Sequence, residues 1–288
     1  MVQSRADVDI TAYRRAVRLG DLYTYQGKIS KIVGLTIEAT GLSCNVGDVC
    51  DIKLDDARSV LAEVVGFKGN SVQLMPYKDV DGIGFGSVVV GTGDKLTIGV
   101  GDDLMGRTVD ALGNPIDGLG PIKQTAWYPI NGRPSNPMQR PPITQVMELG
   151  VRAIDGLLTM GKGQRMGIFA GSGVGKSTLM GMIARNVKAD VNVIALVGER
   201  GREVVEFMMR DLGEEGMKHS VLVVATSDQP AMMRAKCALA ATAVAEFFRD
   251  QGKDVLLMMD SLTRFCMAQR EIGLATGEPP VARVYTPS

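Results

Sequence analysis

Several things are scarce in this chain of 288 residues, and each scarcity removes a class of function. There is 1 histidine, His219, and the 4 cysteines, Cys44, Cys50, Cys237 and Cys266, show no Cys-x2-Cys spacing. Neither a zinc site nor a disulfide framework is expected, and free thiols in a reducing cytoplasm are the simpler account. Net charge is absent too: 32 basic residues balance 32 acidic ones, where a dedicated nucleic-acid binder usually carries a basic excess. Aromatic residues make up only 5%, too few to expect a base-stacking platform. Uninterrupted apolar runs, such as Val193 to Val197 and Val255 to Met259, are strand-length rather than membrane-length, and no N-terminal stretch has the apolar core of a signal peptide. A soluble, cytoplasmic protein with at most peripheral membrane contact is expected.

The length suits roughly two domains. Residues 1–20 place Ile10, Tyr13 and Val17 at helical spacing among Arg14, Arg15 and Arg18, which reads either as a partner-docking amphipathic segment or as a solvated terminus. From 21 to 94 the texture is short β-rich runs (27–34, 49–54, 61–67, 71–75 and 87–90) broken by Gly and Asp, which predicts a small antiparallel barrel or sandwich with Gly91–Asp94 as its exit. Turn signals mark Gly106–Gly118, prolines make Trp127–Pro142 irregular, and Gln145–Leu158 reads as helix with Val146, Leu149, Ala153 and Leu157 on one face.

Within the last unit, 95–288, the densest chemistry is Arg165-Met-Gly-Ile-Phe-Ala-Gly-Ser-Gly-Val-Gly-Lys-Ser-Thr178. A short apolar run, Met166 to Ala170, reads as a strand that leads into Gly171, Ser172, Gly173, Val174 and Gly175, then into Lys176, Ser177, Thr178 and an apolar helix. This is the layout of a phosphate-binding P-loop: glycines turn backbone N–H groups inward, the helix start adds positive potential, and the lysine adds a full charge. Ala170 stands at the first glycine position of the strict pattern, before the phosphate-wrapping turns.

Beyond the loop, strands at 191–197, 221–225 and 255–259 alternate with helices at 203–212 and 231–249, as in a parallel sheet that binds ligands at its carboxyl ends. Asp260 closes the last strand, the Walker B position for a carboxylate that holds Mg²⁺ through its water shell. Glu199 closes the first, in Val197-Gly-Glu-Arg-Gly-Arg-Glu203, where it orients an attacking water with Arg200 or Arg202 neutralising charge, or else belongs to a solvated loop of paired charges. Arg264 reads as a phosphate-facing cation or as an ion-pair partner of Glu271 or another acid. The paired methionines at 208–209, 232–233 and 258–259 read as core filler, and His219 as exposed.

Together with Gly150-Val-Arg-Ala-Ile-Asp-Gly156, these motifs resemble the catalytic subunits of rotary ATP synthases. Asp260-Ser-Leu-Thr-Arg-Phe-Cys-Met-Ala-Gln-Arg-Glu-Ile-Gly-Leu-Ala-Thr-Gly-Glu-Pro-Pro280 looks more like the type III export ATPases, the flagellum-specific ATPase and its injectisome counterpart. The resemblance implies an α/β fold, a P-loop (RecA-like) parallel-sheet core preceded by a small antiparallel β-barrel. It implies Mg²⁺-dependent ATP hydrolysis, with Lys176 on the phosphates, Glu199 on the water, Arg200 and Arg264 near the γ phosphate, Ser177, Asp260 and Glu203 toward the metal, and Tyr285 stacked on adenine. The implied partners are a homo-hexamer, a stalk-like regulatory protein at the N-terminus, and export-gate components with chaperone–cargo complexes; no nucleic acid is implied, and the location is the cytoplasmic face of the inner membrane. A synthase β-type subunit, an injectisome ATPase and a non-catalytic nucleotide-binding module stand as alternatives. Two departures stand out: the family usually has Gly at the position of Val284, and it continues past Ser288 into further core and a helical domain, so the chain reads as C-terminally truncated.

Overall fold

The computed structural model describes residues 25–55, 57–132, 136–171, 173–281 and 284–287. The docking segment expected at 1–20 and the loop residue Ser172 lie outside the described residues.

Strands β1 (Gln26–Val33), β2 (Thr36–Thr40), β3 (Asp48–Lys53), β4 (Ser59–Lys68), β5 (Ser71–Pro76) and β6 (Val88–Lys95) form a closed antiparallel barrel in the order β1-β2-β5-β4-β3-β6. Alternation along the strands turns Ile29, Ile37, Ile52, Val64, Val72, Leu74 and Val89 inward, and the closed ladder, with β1 paired to both β2 and β6, makes it a barrel rather than a sandwich. The stretch Gly91–Asp94, read as the exit, lies in the second half of β6, the last barrel strand, where Gly91 pairs with Cys50 and Lys95 with Asp48 across a register shift. Strand β7 (Thr97–Val100) pairs with β9 (Ala126–Pro129), so the proline-rich stretch starts as ladder before becoming irregular.

The core sheet contains β8 (Thr108–Asp110), β10 (Val191–Glu199), β11 (Ser220–Thr226) and β12 (Val255–Asp260), all parallel, in the order β12-β10-β11-β8. β-branched and aliphatic residues on both faces of β10 and β11 leave no polar side, so helices cover both. On one face Val193, Ala195, Val197, Val223 and Ala225 meet α5 (Ala231–Asp250), whose run of alanines lets the helix lie close while Phe248 and Val244 fill the gaps. On the other face Ile194, Leu196, Leu222 and Val224 meet Met180 and Ala184 of α2 (Lys176–Asn186). Burying each large aliphatic or aromatic side chain contributes about 1.5–3 kcal/mol.

Three predicted elements differ. The helix expected from 145 shrinks to α1 (Arg152–Leu157), because Gly150 takes φ +72° and the Asp155 carboxylate accepts from the N–H groups of Leu149 (2.9 Å) and Gly150 (2.8 Å), capping the turn from below. Val146 instead bridges Gly161, and Leu157 is exposed. The run Met166–Ala170 is not a strand here: β12 pairs only with β10, so the run has no ladder partner, and the Phe169 ring leans over side-chain-free Gly167. The helix expected at 203–212 begins earlier as α3 (Gly201–Glu206), widens into a π turn at Phe207–Leu212, and resumes as α4 (Gly213–Lys218). Gly181 of α2 packs against that π turn so closely that an added Cβ would lie 2.4 Å from the Asp211 carbonyl oxygen. Of the methionines, Met232 and Met233 are buried, while Met209 is 79% exposed rather than core.

Candidate functional site

The site forms where β10 and β12 end and α2 begins. Gly173 (φ +76°) and Gly175 (φ +94°) hold left-handed backbone, and space is not the constraint, since nothing lies within 4 Å of where a Cβ would stand. Gly175 is the N-cap of α2 and offers no side-chain cap, so the first helical N–H groups remain available to an anion. Gly171 and Val174 are exposed around them, and Thr178 faces outward.

Register places Asp260 beside Leu196, on the face that meets α2. The carboxylate is buried, and Lys176 of α2 forms an ion pair with it. Ser177, Leu196, Glu199, Glu203, Val204, Glu206, Phe207, Arg210, Asp211 and Asp260 line one cavity of about 90 Å³. Four of the expected residues, Ser177, Glu199, Glu203 and Asp260, therefore share one wall-to-wall space, with Lys176 at its rim.

Glu199 is the most perturbed acid of the group. Burial, a hydrogen bond with Glu203 and the nearby Asp260 charge push its carboxyl up to about 7, against the pull of Arg264 and Lys176. Glu203 moves the opposite way, held low by the hydrogen bond from Glu199 and by Arg200. The two carboxyls are therefore pushed in opposite directions by their contact, Glu199 toward the protonated form and Glu203 toward the ionised one.

Arg264 comes from α6 (Leu262–Ala275), whose N-cap Ser261 directly follows Asp260. Its Nε lies 3.2 Å from Glu199 Oε1, and its NH1 donates to the Gly198 carbonyl at 2.7 Å. Glu271, the partner considered from sequence, binds Arg234 of α5 at 2.6 Å instead. Arg200 turns outward and pairs with Glu203 at 3.0 Å. Tyr285 is not among the residues lining the cavity: its ring packs beneath the Arg270 guanidinium, 5.5 Å away, on a tail where Val284 takes φ +65°. Sequence reasoning missed Glu206, Arg210 and Asp211, whose approach depends on the π turn, and Gly198, whose only signal was a glycine at a strand end.

A glycine loop heading a helix, a lysine on a strand-end carboxylate and a second acid on the neighbouring strand, all set on a parallel sheet, define a P-loop nucleotide-binding core. The family model for the ATP synthase alpha/beta nucleotide-binding domain matches residues 150–288, and that for the family's β-barrel domain matches 29–93. The chain belongs to the ATP synthase alpha/beta family. It is 56% identical over 274 residues to the flagellum-specific ATP synthase of Bacillus subtilis, covering 94% of this chain and 63% of that protein. It is 51% identical over 263 residues to the type 3 secretion system ATPase of Xanthomonas euvesicatoria, covering 91% and 60%. Among solved structures, the assembled ATPase EscN in complex with its central stalk EscO, from the enteropathogenic E. coli type III secretion system, superposes with a TM-score of 0.84 at 47% identity, over 91% of this chain and 64% of that one. The chain thus spans a little under two thirds of the length of the curated relatives it matches. No helix among the described residues is long and apolar enough to cross a membrane.

Proposed function

We propose that the protein binds ATP with Mg²⁺ and hydrolyses it, as a subunit of a homo-hexameric ring that energises flagellar type III protein export from the cytoplasmic face of the inner membrane. The observation that most supports this reading is the convergence of Lys176, Asp260 and Glu199 at the head of α2. A triphosphate at the α2 N-terminus competes for Lys176, which leaves Asp260 free to face a cation's water shell. Ser177 and Asp260, with Glu203 nearby, would hold Mg²⁺; so few protein donors suit an ion that keeps waters and phosphate oxygens as its other ligands. When bound, the metal would supply positive charge that offsets the negative charge of the phosphates. Glu199, once ionised, accepts a proton from a water whose oxygen bonds to the γ phosphorus as the bond to the ADP oxygen breaks in line. Arg264 and Arg200 offset the charge that develops there. The backbone of Gly171 to Thr178, Ser172 included, wraps the phosphates, and Tyr285 takes the adenine.

The division into a docking segment (1–20), a barrel (21–94) and a core (95–288) belongs to the same proposal, as do a stalk-like regulator at the N-terminus and export-gate or chaperone–cargo partners. What supports the flagellar system is the identity to the flagellum-specific relatives from Bacillus subtilis, 56%, and Treponema pallidum, 54%; the secretion ATPase from Xanthomonas euvesicatoria, at 51%, falls between these and the flagellum-specific relative from Salmonella typhimurium, at 48%. A non-catalytic nucleotide-binding module is the alternative, favoured by Glu199 and Asp260 both being engaged by cations. Phosphate release with Mg²⁺ and ATP separates them: turnover above that of Lys176→Ala and largely lost in Glu199→Gln is expected, and turnover equal in all three would overturn the hydrolytic reading.

A further inference from the structure

Glu199 does not stand where simple strand alternation would put it. Along β10, Val193, Ala195 and Val197 face α5, while Ile194 and Leu196 face α2. Continued alternation would send residue 199 to the α5 face with Val197. The β10–β11 register breaks at this point: Val197 pairs with Ala225 and Glu199 with Thr226, so Gly198 is an extra residue, a bulge, opposite nothing. Its φ of +67° takes up the turn, and Glu199 emerges on the α2 side, lining the cavity with Ser177, Leu196 and Asp260.

The missing side chain matters as much as the backbone angle. A Cβ on Gly198 would lie 3.1 Å from Arg264 Cδ and 3.3 Å from Arg264 Cβ, with Arg234 Cδ at 3.7 Å. Arg264 can therefore lie flat across Gly198, donate to its carbonyl at 2.7 Å and reach Glu199 beyond it. Arg234 stands behind, fixed by the Gln229 carbonyl at 3.0 Å and Glu271 at 2.6 Å, so Arg264 has little room to retreat.

We propose that Gly198 is a positioning residue for the hydrolytic reaction: its bulge turns Glu199 toward the phosphate-binding face, and its bare Cα lets Arg264 clamp that carboxylate. This rests on the reading of Glu199 as the group that handles the attacking water. The role touches neither nucleotide phosphates nor adenine, so it separates binding from turnover. In Gly198→Ala, the affinity for a fluorescent ATP analogue should stay within about threefold of the parent while kcat falls about 100-fold, the scale of an ångström's misplacement of a catalytic group. Because Gly198 acts through Glu199 and Arg264, adding Gly198→Ala to Glu199→Gln/Arg264→Ala should slow turnover no further.

Gly198→Asn guards against simple misfolding, since asparagine tolerates left-handed backbone yet still carries a Cβ. It should keep the parent melting temperature and still lose kcat. A readout free of turnover is the ¹⁵Nε–H resonance of Arg264, assigned with Arg264→Lys: resolved and slow to exchange in the parent, fast-exchanging in both Gly198 variants. Parent-like kcat and a parent-like Arg264 signal in Gly198→Asn would overturn the proposal. Absence of turnover in the parent above Lys176→Ala would instead overturn the hydrolytic reading, and the Arg264 signal would still decide the role of Gly198.

Discussion

The Lys236 ammonium of α5 lies 2.8 Å from one Glu63 oxygen and 2.7 Å from the other, joining barrel strand β4 to a core helix 173 residues further along the chain. Tyr77 donates to the same carboxylate at 2.5 Å, and all three side chains are buried. Removing only the cation leaves a buried charge with one neutral donor. Lys236→Met should therefore destabilise by about 3–5 kcal/mol, whereas Lys236→Met/Glu63→Gln should recover much of that loss. Urea denaturation of the two variants checks it; equal losses would mean the ion pair is not what joins the units.

Stability should depend on pH through Glu199 in a specific direction. Its folded carboxyl titrates at about 7, above the ordinary value, so the folded state binds a proton more readily than the unfolded state. Stability contributed by this group is present below the ordinary Glu range and is lost as pH rises toward 7. Glu199→Gln, which cannot ionise, should thus raise the melting temperature at pH 8 and change it little at pH 5. A larger gain at pH 5 than at pH 8 would reverse the sign and refute the raised value.

Lys176 and Asp260 neutralise each other in this state. Lys176→Ala should weaken ATP-analogue binding at least tenfold, about 1.4 kcal/mol, since a buried-edge charge on the phosphates is lost. It should also lower the melting temperature without ligand, because Asp260 is left buried beside Glu199 with its ion-pair partner gone. Titration fluorimetry and a thermal melt read the two effects separately.

Val284 is the only non-glycine among the described residues with positive φ, +65°, and a β-branched side chain suits that region poorly. Val284→Gly should relieve about 1 kcal/mol of local strain after glycine's own entropy is counted. The Val281 amide, which donates to the Tyr285 carbonyl at 2.7 Å, should then exchange about fivefold more slowly.

The parts legible from sequence were those where one residue type answers to one force. The predominantly apolar β10 and β11 call for a doubly covered sheet, and Gly173 and Gly175 before Lys176 permit the left-handed backbone that the loop adopts. The parts that were not legible depend on a partner distant in sequence. Gln145 to Val151 has helical spacing, yet the Asp155 carboxylate takes its backbone donors. Met166–Ala170 has a strand's composition, but a strand requires a neighbour. Arg264 chose Glu199 over Glu271 because the Gly198 bulge, invisible in a string of letters, opened the path.

The barrel closes on itself, β1 pairing with both β2 and β6. Among the described residues every barrel strand has a neighbour on both sides, so the barrel presents no free edge strand. A partner that meets the described barrel is therefore met by its side chains and loops, a contact that salt and single substitutions can tune and that can be broken without unzipping a sheet.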